Sequence, residues 1–294
     1  KYFVSANLTA DASSRFGKEV PNAVKLNNRS LAIMPSVAVA WLVTSQKFMS
    51  HFKQVDVLKL RASYAKTGND DIGNYTSQQS YVSQNLLGVQ GIVRGNVANP
   101  QVQWESNTKV NVGVDASFFK ERLSISFDMF HNQTANMIVY EPLPSSAGFN
   151  YVITNNGSMT TKGIEYSITG RIVSKKNLKW DAGFNITANT NRIDNMPASS
   201  FVYSYGGASV ISQINSPAAL FFGYKTNGVF STDAEAATAG LTKRQSDASY
   251  APFKGGDVRF VDLNGDKVID EKDKQIIGNP NPDFVGGFTN RVTY

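Results

Sequence analysis

The chain reads as an all-β protein, an antiparallel transmembrane β-barrel present in part, in preference to a soluble β-sandwich, whose strands are shorter and turns more evenly spaced. Three observations predict this. Segment after segment alternates apolar with polar residues at period two. Short charged turns take turns with long polar loops. No run of about 18 apolar residues exists, so a spanning helix is excluded, whereas barrel strands need only about 9–11 alternating residues each.

The pattern is plainest in Thr108–Phe130. Val110, Val112, Val114, Ala116 and Phe118 alternate with Asn111, Gly113, Asp115 and Ser117. After the charged turn Phe119–Arg122, Leu123, Ile125, Phe127 and Met129 alternate with Ser124, Ser126 and Asp128. Side chains on a strand point to opposite faces, so each strand has one greasy and one polar face.

The other elements follow in order. Tyr2–Asp11 is a first strand and Ala12–Arg29 a polar loop. Ala32–Val43 is a second strand, with Pro35 near its start, where a missing N–H does least harm. Ser45–Lys53 is a turn or short helix, and Val57–Lys66 a third strand. Thr67–Ser106 is a long Gly/Asn/Gln-rich loop, a length that usually marks a functional or a mobile segment. Beyond the organising hairpin come a short strand Asn136–Tyr140, a loop Leu143–Tyr151, and a hairpin of Gly163–Val173 with Asn177–Ile193. Asp194–Ser216 is a second long loop, Phe221–Phe230 a strand, and Ser231–Gln245 holds a short helix at most. Phe284–Tyr294 is a last strand. Alternation thus predicts about ten strands, and the asymmetry of short turns and long loops suits an outer-membrane barrel.

Composition narrows the function classes. The chain has 294 residues, 41% of them hydrophobic, as expected when many strand faces are polar. With no Cys, disulfides and thiolate metal sites are impossible. The net charge is +6, but its Lys and Arg are scattered without interleaved aromatics, which argues against nucleic acid. The chain starts at Lys1 without a signal or targeting segment and is expected to be a piece of a longer protein.

One motif carries specific chemistry. Asp262, Asn264, Asp266, Val268, Asp270 and Asp273 have the spacing of a Ca²⁺ loop, with Val268 offering its backbone carbonyl. Lys267 stands where Gly usually makes the sharp turn, and Asp273 is shorter than the usual bidentate Glu. The other reading is an Asx-rich turn whose carboxylates cap backbone N–H groups. The segment 231–283 is expected to be a long extracellular loop carrying this motif.

Other candidates are weaker. Phe201, Tyr203 and Tyr205 would share one face if extended, either to stack on sugar rings or to pack the loop on itself. Arg94, Lys225 and Arg259 are loop cations suited to an anionic substrate or lipopolysaccharide, or simply to solvent. His51 and His131 have no acidic cluster beside them, no G-x-S-x-G is present, and no carboxylate pair stands out, so no enzyme is expected.

Several segments, in order, resemble the SusC/RagA type of TonB-dependent outer-membrane transporter of Bacteroidetes. They are LTADASSRF (8–16), PSVAVAW (35–41), LKLRASYAKTGNDDIGNY (58–75), WESNTKVNVGVD (104–115), LPSSAG (143–148), NGSMTTKGIE (156–165), GYKTNGVF (223–230) and VDLNGDKVIDEKDKQIIGNPNPDF (261–284). The resemblance covers nearly the whole chain and implies the C-terminal part of such a barrel, without its plug and final strands. It implies residence in the outer membrane and import of oligosaccharides or peptides. It also implies pairing with a SusD-like surface lipoprotein and energy from the TonB complex through a segment not in this chain. The alternative left open by the residues is a soluble or surface-attached, calcium-dependent carbohydrate-binding β-domain.

Overall fold

The computed structural model describes residues 1–294, Leu86 by its backbone alone. It divides into a unit of Lys1–Pro197 with Pro282–Tyr294, and a second unit, Ala198–Asn281.

The first unit is a wall of eight long strands in one antiparallel sheet. They are β1 (Tyr2–Asp11), β2 (Arg29–Leu42), β3 (Val55–Asn69), β4 (Glu105–Phe118), β5 (Leu123–Pro142), β6 (Tyr151–Lys175), β7 (Leu178–Asn195) and β8 (Val285–Thr293). Each pairs with its neighbour in sequence, and the edges of β1 and β8 are open. A short strand, Val24–Leu26, adds to the start of β2.

Register turns the alternation of each strand into two continuous faces. Val4, Val39, Ala62, Val112, Met129, Ile164 and Ala188 stand opposite one another from β1 to β7 and form one apolar row. The next row along the strands holds Leu60, Val114, Phe127, Tyr166 and Ile186. The opposite face carries Ser63 beside Asn111 and Arg61 beside Gly113, Asp128 and Glu165. A one-residue slip would exchange these faces, so the pattern itself pins the register.

The two ends of the wall differ. At one, β4 and β5 join through Phe119–Arg122, β6 and β7 through Lys176–Asn177, and β2 and β3 through two 3-10 turns, Val43–Ser45 and Lys47–His51. All the long excursions leave from the other end, where the second unit is also inserted between β7 and β8. Aromatic side chains gather at the short-turn end, where Tyr2 stacks on Trp41 with ring centroids 5.9 Å apart.

Several predicted boundaries change. Asn136–Tyr140 is not a separate strand but the far end of β5, whose pairing with β6 slips at Thr134–Met137 and again at Met137–Val139. The expected loop Thr67–Ser106 contains a two-stranded ribbon, Tyr81–Leu86 with Val89–Arg94. The expected loop Asp194–Ser216 contains the hairpin Ser200–Tyr205 with Ala208–Gln213. The single strand expected over Phe221–Phe230 is two, because Leu220–Tyr224 pairs with Lys274–Gly278 while Thr226–Val229 pairs with Val258–Phe260.

The second unit has its own apolar centre. Phe230 is fully buried among Phe253, Phe260, Tyr224, Ala236 and Ile269. Its helix α1, Asp233–Ala239, starts at Thr232, whose hydroxyl accepts from Glu235 N at 3.2 Å, and ends at Gly240 in the left-handed region.

Candidate functional site

The long-loop end of the wall is a built rim. Gly17 N donates to Val102 O at 2.7 Å and Glu19 N to Pro100 O at 2.9 Å, tying the β1–β2 loop to the β3–β4 excursion. A Cβ on Gly17 would lie 1.8 Å from Pro100 O, so no other residue permits this approach. Phe16 and Trp104 close the same junction with Val20 and Ala32 in a small buried cluster. Arg15 Nη1 donates to Asp70 O at 2.8 Å, and Ser77 Oγ to Phe16 O at 3.2 Å.

The excursion is fastened to the β5–β6 side as well. Asn99 Nδ2 donates to Ile153 O at 2.8 Å. Asn155 accepts from Gln103 N at 2.9 Å and returns Nδ2 to Gln103 O and to Asn136 O, both at 2.8 Å. A side-chain amide can serve a donor and an acceptor at once, so one Asn bridges three chain segments.

Midway down the polar face sits a charge cluster. Arg61 grips Asp115 with Nε at 2.7 Å and Nη2 at 2.8 Å, a bidentate fork. The same Nη2 reaches Asp128 Oδ2 at 3.0 Å, across Gly113. Ser126 Oγ adds a bond to Asp115 Oδ1 at 3.0 Å. The cluster stitches β3, β4 and β5 together.

The acidic loop folds on itself. Asp262 accepts from Gly265 N at 2.7 Å and Lys267 N at 2.8 Å, and Asp266 from Val268 N at 2.8 Å. Asn264 Nδ2 donates to Asp266 Oδ2 at 2.9 Å, and Asp270 accepts from Lys272 N at 2.9 Å. Asp273 is fully buried and accepts from Leu263 N and Asp270 N, each at 2.8 Å. Lys267 takes φ 63°, the left-handed turn that Gly would make without strain. The Asp266 carboxyl is held below the usual carboxylate range, first by the Val268 N–H and then by Asn264. Among the described residues, no three acidic or histidine side chains converge as a metal site.

Phe201, Tyr203 and Tyr205 lie on the edge strand Ser200–Tyr205, opposite Ser212, Val210 and Ala208, with Tyr205 the most exposed of the three. Arg259 is engaged inside the second unit, 3.9 Å from Glu235 and 5.7 Å over the Phe230 ring. Arg94 ends the ribbon. His131 stands opposite Lys162 at the upper limit of the apolar rows, and His51 is exposed in a 3-10 turn. Sequence reasoning missed the rim ties, because Gly17, Asn99 and Asn155 look like ordinary loop residues until their partners are known.

Residues 1–273 match the family model described as "TonB dependent receptor-like, beta-barrel". TonB-dependent receptor P39 of Formosa agariphila is 31% identical across 100% of this chain and 30% of that protein. TonB-dependent receptor SusC of Bacteroides thetaiotaomicron is 27% identical across 100% of this chain and 28% of its own length. Among solved structures, the RagAB peptide transporter superposes with a TM-score of 0.77 at 23% identity, over 100% of this chain and 30% of that one, a likeness of fold. The chain thus spans about three tenths of the length of the curated relatives it matches. With a family model matching nearly end to end and an open two-faced wall as its structure, the chain belongs to the TonB-dependent receptor-like β-barrel family, whose members reside in the outer membrane.

Proposed function

We propose that this chain forms part of the wall and outer rim of an active transporter that imports large nutrients, oligosaccharides or peptides, across the outer membrane. It works with a SusD-like surface lipoprotein and draws energy from TonB through parts of the protein outside these residues. The observation that carries the reading is the pair of continuous faces. One apolar row runs from Val4 to Ala188 and suits lipid, while the Arg61–Asp115–Asp128 face suits a wet interior. The long-loop end is assigned to the outside, with 231–283 as an extracellular segment, because barrels of this type keep their short turns on the periplasmic side. The likeness to SusC and to the RagAB peptide transporter supports the substrate size class. Deleting the full receptor gene should abolish uptake of a fluorescent oligosaccharide or peptide that the parent strain takes up, and deleting TonB should do the same. Uptake that survives either deletion would sink the reading.

The acidic loop is read as a self-capped turn that holds the segment's shape. Its carboxylates already serve six backbone N–H groups, from Leu263, Gly265, Lys267, Val268, Asp270 and Lys272. Calorimetry on the full receptor in detergent should find no uptake of Ca²⁺ at millimolar concentration that depends on Asp262. A heat of binding lost in Asp262→Ala would make it a calcium loop instead.

A further inference from the structure

The apolar face of the wall ends differently at its two boundaries. From the row Ala62–Val112–Met129–Ile164–Ala188 down to the row Leu58–Ala116–Ile125–Ile168–Phe184, that face of β3–β7 carries no charged residue. The next two rows toward the long loops carry His131 and Lys162, then Lys66 and Arg192, and no carboxylate. We propose that this basic edge binds a phosphorylated glycolipid, the lipopolysaccharide of the outer leaflet, with its phosphate on Lys162 and an acyl chain on the apolar residues below. The inference rests on the assignment of the apolar face to lipid and of the long-loop end to the outside.

Three observations carry it. The first is a groove of about 510 Å³ where the two kinds of surface meet. Val110, Met129, Ile164 and Ala188 give it an apolar floor, and His131 and Lys162 stand at its long-loop edge. Asp283 also lines it. An apolar floor with a cation at one end matches an acyl chain that ends in an anionic headgroup.

The second is unanswered charge. Lys162 is exposed and directly opposite His131. Arg192 lies on the diagonal, two residues beyond Thr190, the partner of Lys162. Facing residues on neighbouring strands hold their Cβ atoms about 4.5–5.5 Å apart, and diagonal ones about 7–8 Å, so one phosphate can reach all three side chains. Among the described residues, neither Lys162 nor Lys66 forms an ion pair. Asp194 lies beyond these rows and is already shared by Arg192 Nη2 at 2.7 Å and Thr160 Oγ1 at 2.5 Å. Basic groups set side by side without a carboxylate repel one another, and an anion between them relieves this.

The third is asymmetry. Cations that merely reached for water would serve equally at both ends of the apolar band. At the short-turn end the band closes instead on aromatic rings, Tyr2 stacked on Trp41, and on Trp180, whose Nε1 donates to Asn290 Oδ1 at 2.5 Å. The basic rows occur only at the end assigned to the outer leaflet, where the phosphates of lipopolysaccharide lie.

The test uses the full receptor in detergent, titrated with monophosphoryl lipid A and with its dephosphorylated form, and read by native mass spectrometry. The phosphorylated lipid should bind about tenfold more tightly or better. Lys162→Gln should remove most of that preference, and Lys162→Arg, which keeps the charge, should stay within about threefold of the parent. Lys109→Gln is the matched control: it removes one exposed lysine from the opposite face and should change nothing. Ala188→Phe, which fills the groove floor, should weaken both lipids. Heat-modifiable gel migration identifies any variant that fails to fold, and Arg192→Gln then carries the comparison. Receptor extracted from cells should retain the glycolipid, and Lys162→Gln should lose it. Equal binding of the two lipids, indifference to Lys162→Gln, equal loss in Lys109→Gln, or a glycerophospholipid retained in place of the glycolipid each overturns the assignment. None of these outcomes bears on TonB-dependent uptake, so the transport reading and this one fail separately.

Discussion

Gly113 lets one arginine hold carboxylates on two strands. It stands opposite both Arg61 and Asp128, and a Cβ there would lie 2.3 Å from Asp128 Oδ1 and 2.9 Å from Arg61 Nη2. Gly113→Ala should therefore push the guanidinium off Asp128 and, because the atoms met are the tips of flexible side chains, destabilise the barrel by no more than about 1 kcal/mol, the worth of one partly solvated ion pair. Urea unfolding of the full receptor in micelles, read by tryptophan fluorescence, measures it; an unchanged midpoint would mean that the bridge contributes nothing. At Asp266 the relevant variable is pH. Its folded carboxyl is more acidic than in the open chain, so its hydrogen bonds stabilise the loop above the ordinary carboxylate pKa and are lost as pH falls below about 4. An acid-active protease should cut 262–273 faster at pH 3 than at pH 5, after correction for enzyme activity, and Asp266→Asn should flatten that difference. The Ca²⁺-like spacing was legible in the residues themselves. The backbone partners that cap the carboxylates were not, because an oxygen ligand and an Asx cap draw on the same residue types.

At the scale of the element, alternation predicts a strand only where the two faces meet different solvents. From Val110 to Phe118 and from Leu123 to Met129 they do, and these two strands were readable directly. Beyond Met129, β5 continues through Asn132, Gln133, Thr134 and Ala135 with no apolar face to mark it, so its far end read as a separate short strand. Strand β6 is longer still, 25 residues, more than twice the roughly 9–11 that a bilayer requires. The same reasoning explains the hidden ribbon: among the described side chains of Tyr81–Arg94 none is buried, and its exposed Tyr81, Val89 and Ile92 carry no consistent period. Isolated two-stranded ribbons are marginal in water, so this one depends on the lock that Asn96 supplies at its foot. Asn96→Ala removes the acceptor for Ser80 N and Ser80 Oγ and should loosen the ribbon selectively. Hydrogen exchange should show faster exchange of the Tyr81–Arg94 amides, with the amides of β4 and β5 unchanged. If the whole wall quickens together, the ribbon is not an independent element.

At the scale of the whole molecule, the decisive property is which face meets lipid, and two adjacent columns of β4 test it. Val114 belongs to the apolar row with Leu60 and Phe127, roughly midway between the Phe118 turn and the His131–Lys162 pair that bounds the band. Asn111 lies on the other face, beside Ser63 and Phe130. A charge at the bilayer midplane costs about 2–4 kcal/mol in such barrels, whereas a charge on the inner face keeps its water. Val114→Arg should therefore lower folding yield into lipid vesicles and shift the unfolding midpoint by that amount, while Asn111→Lys should fold within about 1 kcal/mol of the parent. The absence of Cys from this chain allows an independent check. With any cysteine elsewhere in the receptor removed, Met129→Cys should react with a membrane-dissolved maleimide and Ser126→Cys with a water-soluble one. Reversed reactivity would turn the wall inside out, and the lipid groove, the rim and the outward loops would then need another explanation.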